Sequence, residues 1–296
     1  SRIQWIFIVI FTAIFWYTTS RTTWTAWWKG SLKKIPLALV YLGIMLIGSG
    51  IATLAGNDVL KYTNWVDVLG FIILLISLFL SFWTVSITND LHDVEIDQEV
   101  NTDRPLVTKS LTYDQIKTIR FFAFIISVIG SLLINYNVAM CLGLFYVAYL
   151  LHSSKTQLKK WWFSSGACIF FAALGTEMAG YFFLAQDQTF SHFPVLAGLT
   201  FPILFFILSH LKDIPDQAGD HKASIRTLPL VIGERATIWV VSIVLILWAV
   251  LFHNFISWTI TALVTIFALM FAGSYEQKKK FPSKEHLMYG ITGFFG

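Results

Sequence analysis

The sequence has few charged residues and very few cysteines. Asp, Glu, Lys and Arg make up 13% of its 296 residues, whereas a soluble globular chain carries about 25%. The two cysteines, Cys141 and Cys168, both lie in apolar runs, so we expect each to be a small buried hydrophobe rather than half of a disulfide. The low charge indicates that most of the surface faces lipid.

The sequence also lacks the short motifs of the common soluble enzymes. It has no Gly-rich phosphate loop between a strand and a helix, no Cys/His zinc spacing and no Ser nucleophile elbow. Its net charge of +4 does not call for a nucleic acid partner, because the basic residues lie in loops between apolar runs. Any chemistry is therefore expected from polar residues near the ends of those runs.

Hydrophobic residues make up 56% of the chain, and the mean hydropathy is +0.68. They form runs close to the length of about 17–25 residues that a helix needs to cross a bilayer, several of them only with flanking Trp, Tyr and Lys. The runs are Ile3–Tyr17, Ile35–Leu54, Val68–Ser86, Ile119–Ile134, Val138–Leu151, Phe163–Leu184, Phe193–Leu208, Ile238–Phe252, Phe255–Phe271 and Leu287–Phe295. The sequence therefore predicts an all-α integral membrane protein that spans the bilayer many times.

Lysine and arginine are distributed unevenly among the loops between the runs. Of the 21 such residues, all but Arg2 and Lys61 fall in loops on one side of the predicted membrane. Basic loops face the cytoplasm, so this side is predicted to be cytoplasmic and the first run is predicted to start outside. The chain begins at Ser1 rather than Met and stops at Gly296 inside an apolar run, so we expect both ends to be trimmed.

A cluster of acidic residues follows the run Val68–Ser86 on the predicted cytoplasmic side. Asn89, Asp93 and Asp97 are spaced i, i+4 and i+8, which places them on one face if the helix continues. Carboxylates stacked in this way repel each other unless a cation lies among them. Mg²⁺ is commonly held by a few carboxylates together with substrate phosphates, so the cluster predicts a metal site.

A second acidic cluster follows Phe193–Leu208 on the same side. Asp213, Asp216 and Asp220 are spaced i, i+3 and i+7, again one helical face, although Pro215 is expected to break or restart the helix. Either cluster alone could be a solvated loop that ends a helix. Two clusters of shared design favour one site assembled from two halves of the chain.

These clusters also carry a resemblance to a known family. Asn89-Asp90-x-x-Asp93-x-x-x-Asp97, followed by Asn101-x-x-Arg104-Pro105-Leu106, resembles the first aspartate-rich motif of the UbiA-type intramembrane prenyltransferase superfamily and the segment after it. Lys212-Asp213-Ile214-Pro215-Asp216-x-x-Gly219-Asp220, with Ile225–Pro229 and Gly233 behind it, is similar to the second motif and its tail. The resemblance covers nearly the whole chain in element order.

The resemblance implies a UbiA-like bundle of about nine transmembrane helices, in which two aspartate-rich cytoplasmic loops cap a central cavity that opens laterally to lipid. The run Ile3–Tyr17 exceeds that count and is interpreted as an extra N-terminal helix. Residues 1–34 would then form this helix and an interfacial segment, and residues 35–296 the prenyltransferase domain. Two helix–acidic loop–helix units make a weak repeat within that domain.

The resemblance also implies Mg²⁺-dependent transfer of a prenyl group from a prenyl diphosphate to an aromatic, quinone-precursor or lipid acceptor in the membrane. Metal ions would neutralise the diphosphate and favour cleavage of the C1–O bond to an allylic carbocation. The implied metal ligands are Asn89, Asp93, Asp97, Asp216 and Asp220. The implied catalytic residues are Asp90, Asp93, Asp213 and Lys159. The implied diphosphate ligands are Arg104, Lys159, Lys212 and Arg226.

The choice of Lys159 rests on the loop between the family's fourth and fifth helices, which corresponds to Tyr149–Lys160. Leu158-Lys159 fits the lysine of that segment, although the usual prolines are absent and His152 stands where an aromatic residue is expected. Lys155 is the alternative. Within the family, Val94–Asp97 and Ile225–Pro229 resemble the homogentisate, chlorophyll and archaeal ether-lipid branches more than the 4-hydroxybenzoate branch.

Other functions compete with this one. The same fold could serve a different acceptor, such as a glycosyl phosphate, haem or a glyceryl lipid, or could cyclise the prenyl chain. A transporter or cation channel with acidic vestibules is disfavoured because Glu177 is the one acidic residue deep within an apolar run. Glu177 is either functional or hydrated from the outer interface. A silent scaffold is disfavoured because every motif acid is present. The acceptor, the prenyl chain length and the oligomeric state are left open.

Overall fold

The structure is a computed structural model that describes residues 34–54, 65–100, 102, 104–154, 157–185, 189–214 and 217–252. Within these ranges the regular elements are α-helices and two short 3₁₀ turns, Leu158–Lys160 and Phe190–His192. The helices are α1 Ile35–Leu54, α2 Trp65–His92, α3 Val94–Val100, α4 Tyr113–Ile134, α5 Tyr136–Ser153, α6 Trp162–Leu184, α7 Val195–Ser209, α8 Gln217–Lys222, α9 Leu228–Ile232 and α10 Glu234–Phe252. The predicted all-α fold class is confirmed.

Six of these helices, α1, α2, α4, α5, α6 and α10, are long and apolar enough to cross a membrane, and α7 is a shorter apolar helix. Each corresponds to one of the predicted apolar runs. The runs Ile3–Tyr17, Phe255–Phe271 and Leu287–Phe295 lie outside the described residues, so the total of about nine helices plus one stays a prediction. So does the domain boundary between residues 34 and 35. The described helices establish an integral membrane protein.

The described residues divide into two compact units, those within 1–157 and 171–199 and those within 158–170 and 200–296. In the first unit α2 packs against both α4 and α5. The residues buried in its core come from four helices, α1, α2, α5 and α6, and from Phe193 just before α7. They include Met45, Leu74, Leu78, Val138, Leu142, Tyr181, Phe182 and Phe183. The second unit has its own core, in which α7 packs against α10 through Leu204, Ile207, Leu208, Val241, Leu245 and Trp248.

Hydroxyl groups join α2 to α4 inside the first unit. The side chains of Ser81 and Ser127 share a hydrogen bond of 2.7 Å, and Ser127 also donates to the main-chain oxygen of Ser77 at 2.8 Å. Both side chains are buried. Such hydrogen bonds hold transmembrane helices together where apolar burial gives little net attraction.

Close packing of α1 on α6 depends on glycine. A Cβ atom placed on Gly48 would lie 1.8 Å from the main-chain oxygen of Glu177, and one placed on Gly180 would lie 1.9 Å from that of Met45. The Ser49 hydroxyl donates to the main-chain oxygen of Gly180 at 3.1 Å. Small residues of this kind let two helix backbones approach within direct contact, which fixes α1 in the first unit.

Asn135 ends α4 and begins α5. Its main chain is extended, so the helix stops there, and its Oδ1 accepts a hydrogen bond from Val138 N at 2.8 Å at the start of α5. Its Nδ2 donates to the main-chain oxygen of Phe182 in α6 at 3.1 Å. One side chain therefore caps a helix and ties the α4–α5 corner to α6.

Candidate active site

The first acidic segment keeps helical spacing across a break. Asp93 stands between α2 and α3, yet its N–H donates to Asn89 O at 3.0 Å and Asp97 N–H donates to Asp93 O at 2.8 Å. Bonds between residues four apart place the three side chains on successive turns, as the sequence predicts. The side chains of Asp93 and Asp97 are only 8% and 5% exposed. Charged residues are rarely buried to this extent unless they are paired or bind a metal.

Asp90 is held by two cations. The Lys34 ammonium, just before α1, forms an ion pair with its Oδ2, and Arg104 Nη1 donates to its Oδ1 at 2.8 Å. The three side chains are 15–24% exposed. Burial lowers the pKa of Lys34, whereas the negative charge of Asp90 acts to raise it. Both carboxylate oxygens of Asp90 are thus occupied by cations in this structure.

Lys34 is the residue that sequence reasoning missed. The sequence shows only a basic residue at the start of an apolar run, which is ordinary for a membrane protein. Its contact with Asp90 joins positions 56 apart and forms because α1 and α2 place their ends side by side. No local spacing contains that information.

An apolar groove between α1 and α2 begins one turn beyond Lys34. Its volume is about 320 Å³, and Ala38 at its rim donates its N–H to Lys34 O at 3.1 Å. The lining side chains are all apolar: Ala38, Leu39, Leu42, Leu75, Ile76, Leu78, Phe79, Leu80 and Phe82. On α1 the apolar groove therefore begins one helical turn after the cation that bonds Asp90.

The second acidic segment is folded differently from the prediction. Helix α7 ends at Ser209, earlier than Pro215 requires, and residues 210–214 form a turn. Asp213 lies buried in that turn, with its Oδ1 3.0 Å from the Lys212 ammonium, whereas Asp220 lies in α8. The predicted common helical face is therefore wrong for Asp213. Asp216 lies outside the described residues.

His210 begins this turn and is buried. Its ring packs edge-to-face on Trp162 at 5.6 Å and on Phe206 at 5.2 Å, as measured between ring centroids. Among the described residues no hydrogen-bond partner reaches its Nε2. Burial lowers the pKa of His210 to about 4, so the imidazole is neutral at pH 7.

The basic segment Leu158–Lys160 is fixed by main-chain hydrogen bonds to a distant loop. Arg226 N–H donates to Lys160 O at 2.8 Å, and Trp162 N–H donates to Arg226 O at 3.0 Å. Ile225 N–H donates to Asp220 O at 2.9 Å. In the second unit, main-chain hydrogen bonds therefore link the segments that contain three predicted site residues, Lys159, Asp220 and Arg226. The alternative residue, Lys155, lies outside the described residues.

The oxygen donors present fit a hard divalent ion. Asp93 and Asp97 supply buried carboxylates one turn apart, the chemistry that Mg²⁺ prefers. In the part of the chain that the structure describes, no three His, Cys, Asp or Glu side chains lie close enough together to surround a metal ion. The five-residue ligand set, which includes Asp216, stays a prediction.

The fold and these segments define a many-helix membrane protein with acidic and basic residues gathered at the ends of its helices. Residues 49–288 match the UbiA prenyltransferase family. The chain belongs to that family, as the two aspartate-rich motifs predict.

Curated relatives differ in how much of the chain they match. Digeranylgeranylglyceryl phosphate synthase of Sulfolobus acidocaldarius is 25% identical over 234 residues, which cover 76% of this chain and 80% of that protein. Naringenin 8-dimethylallyltransferase 2 of Sophora flavescens is 26% identical over 163 residues, 51% of this chain. The matched part spans 40% of the length of the Sophora protein.

Solved structures share the fold at low sequence identity. A UbiA homologue from Archaeoglobus fulgidus bound to DMAPP and Mg²⁺ has a TM-score of 0.57 and 16% identity, and covers 89% of this chain and 96% of its own. The same homologue bound to GPP and Mg²⁺ has a TM-score of 0.55. A digeranylgeranylglyceryl phosphate synthase structure has a TM-score of 0.54 and 19% identity, covering 90% and 93% of the two chains. These matches establish the fold.

Proposed function

We propose that the protein transfers a prenyl group from a prenyl diphosphate to an acceptor dissolved in the membrane, and that the reaction needs Mg²⁺. The observation that carries the proposal is that the buried carboxylates Asp93 and Asp97 share a segment, at the end of a membrane helix, with Asp90, which bonds the cations Lys34 and Arg104. A site for a metal-bound diphosphate needs carboxylates that hold the metal ion and cationic side chains that bond the phosphate oxygens. The apolar groove between α1 and α2 has room for the chain of such a substrate.

Asn89, Asp93 and Asp97 of the first segment, with Asp216 and Asp220 of the second, would hold the metal. Bound Mg²⁺ would draw charge from the diphosphate oxygens and make the diphosphate a better leaving group. The basic side chains Arg104, Lys159, Lys212 and Arg226 would donate charge-assisted hydrogen bonds to the same oxygens. These contacts orient the head group so that C1 faces the acceptor.

The reaction then breaks the C1–O bond, and the electron pair leaves with the diphosphate. The acceptor's nucleophilic atom forms a bond to the allylic carbon and releases a proton. Among the predicted catalytic residues, Asp213 suits the role of base better than Asp90: in the described residues it bonds a single cation, Lys212, whereas both oxygens of Asp90 are occupied. Buried apolar surroundings exclude water, which would otherwise trap the carbocation.

A glyceryl lipid is the first choice of acceptor. A relative from Sulfolobus acidocaldarius, which matches 76% of this chain, is named as a synthase of a glyceryl phosphate lipid. The match to the naringenin dimethylallyltransferase is shorter, and it supports an aromatic acceptor as the second choice. We place the acidic loops on the cytoplasmic side because the loops there carry nearly all the Lys and Arg residues.

The test is diphosphate release by the purified protein in detergent. Geranyl, farnesyl, geranylgeranyl and longer prenyl diphosphates are supplied with and without Mg²⁺, each against glyceryl-lipid and aromatic acceptors. We expect release that needs both Mg²⁺ and one acceptor. Release without any acceptor would favour a cyclase. If no prenyl diphosphate is bound or cleaved, the proposal is wrong and a transporter becomes the better reading.

A further inference from the structure

Two cations share one carboxylate at the start of α1. Lys34 and Arg104 both bond Asp90, one to each oxygen, and all three side chains are at most 24% exposed. One anion against two cations leaves a net positive charge in a largely desolvated cluster. Such a charge is unfavourable unless a further anion lies nearby.

Asp97 is a further anion on the same segment, and its negative charge acts on Lys34. Asp90 and Asp97 are seven residues apart, about two helical turns, so they lie on the same side of the α2–α3 segment. A cation held by Asp93 and Asp97 would cancel that negative charge. The positive cluster would then need an anion from outside the protein.

The Lys34 ammonium also has more hydrogen-bond donors than its contact with Asp90 uses. An ammonium group carries three N–H donors, and Asp90 is the hydrogen-bond partner that the described residues supply to it. The apolar groove that begins one turn beyond Lys34 supplies the surroundings for a hydrocarbon chain. A ligand with an anionic head and an apolar tail matches both features.

We propose that Lys34 is a substrate-binding residue which, together with Arg104, clamps the diphosphate oxygens of the prenyl donor, and that Asp90 is the positioning residue that holds the two cations in place. The inference rests on the proposed function and names a residue on α1 as part of its site. Asp90 is thereby neither a metal ligand nor the base. It acts through Lys34 and Arg104.

The competing explanation is that Lys34 merely neutralises Asp90. A double substitution separates the two. Lys34→Gln alone removes the positive charge beside Asp90 and leaves that carboxylate with Arg104 as its cation, whereas Lys34→Gln with Asp90→Asn removes both charges of the ion pair. If Lys34 only neutralises Asp90, the second change restores function. If Lys34 binds the diphosphate, the defect persists.

The measurements are KM and kcat for the prenyl diphosphate, KM for the acceptor, and Mg²⁺-dependent binding of inorganic pyrophosphate to the purified protein. We expect Lys34→Gln, alone and with Asp90→Asn, to raise the KM of the prenyl diphosphate about ten- to a hundred-fold, the loss expected for a hydrogen bond between charged groups. Pyrophosphate binding should weaken in parallel. The acceptor KM should stay within about two-fold, and Lys34→Arg should recover part of the loss.

Lys117→Gln is the matched control, because it removes the same charge from an exposed position of α4. It should leave every constant unchanged. A wild-type KM in the double variant, or unchanged pyrophosphate binding in Lys34→Gln, would overturn the inference. A wild-type protein that neither binds nor cleaves a prenyl diphosphate would instead overturn the proposed function, so the two failures are distinguishable.

Discussion

Gly48 of α1 packs directly against the main-chain carbonyl of Glu177 in α6, where a Cβ atom would lie 1.8 Å from that oxygen. Gly180 stands in the same relation to Met45. Two glycines thus make the crossing of α1 and α6 possible. The crossing sets the position of α1, and Lys34 precedes its first turn.

Replacing Gly180 with alanine should destabilise the protein, because the new methyl group would meet the Met45 carbonyl. Overpacking of a tight interior contact costs about 1–3 kcal/mol. Thermal unfolding in a mild detergent would show a lower midpoint. Gly50→Ala is the control, since nothing lies within 4 Å of a Cβ there, and it should be neutral or slightly stabilising. Equal midpoints for the two variants would contradict the described crossing.

Asp93→Ala should abolish turnover while the protein remains folded, because the buried carboxylate is predicted to hold Mg²⁺ beside the substrate. Mutations at groups that stabilise transition-state charge reduce the rate by about a hundred-fold or more. EDTA should stop the wild-type reaction and added Mg²⁺ should restore it. Asp114→Asn, at an exposed position of α4, serves as the charge-matched control. Full activity of Asp93→Ala would rule out the metal site.

Substitutions at Asn135 should separate its two roles. Alanine removes both the cap on Val138 N and the bond to Phe182 O, whereas serine keeps a capping oxygen but is too short to reach α6. A lost cap costs about 1 kcal/mol. We expect Asn135→Ala to lower the free energy of unfolding more than Asn135→Ser, and both to lie below the wild type. The order is read from unfolding midpoints in detergent, and a reversed order would contradict the capping role.

His210 should make the protein less stable as the pH falls. The unfolded chain binds a proton there near pH 6.5, whereas burial lowers the folded-state pKa to about 4. Between these values the unfolded state binds more protons, so the free energy of unfolding decreases with decreasing pH, by about 3 kcal/mol in total. His210→Phe should flatten this part of the stability curve, and His192→Asn, at an exposed position, should not. Parallel curves of unfolding free energy against pH for the wild type and both variants would contradict this role of His210.

Cysteine labelling tests the membrane orientation. The native cysteines, Cys141 and Cys168, are buried, so an introduced one can be labelled alone. Ser110 precedes α4 and Ser191 lies between α6 and α7, and both are exposed. A membrane-impermeant maleimide should label Ser191→Cys in intact cells and Ser110→Cys only after permeabilisation. The opposite pattern would place the acidic loops outside.

Helix positions could be predicted from the sequence because bilayer thickness imposes the length of each apolar run. The run Ile35–Leu54 coincides with α1. The run Val68–Ser86 is shorter than α2, which extends from Trp65 to His92. Polar residues at the ends of a membrane helix continue its hydrogen bonds into the interface, where hydropathy gives no signal. Boundaries are therefore less predictable than the helices themselves.

The candidate site could be predicted only where its residues are close in sequence. The spacing of Asn89, Asp93 and Asp97 corresponds directly to helical turns, and the structure confirms it. The turn at Asp213 does not follow from the spacing of its acids, because α7 ends at Ser209, well before Pro215. The contact between Lys34 and Asp90 depends on how two helices meet, which no single segment encodes.

The tie between Lys160 and Arg226 has a consequence for how the protein is made. A ribosome completes the Lys160 segment well before Arg226 emerges, yet Arg226 N–H supplies the hydrogen bond that Lys160 O receives in the finished structure. Lys160 O therefore cannot receive this hydrogen bond until α7 and the loop that follows it have been synthesised. A nascent chain that stalls before Arg226 would therefore lack this link between the two loops of the second unit.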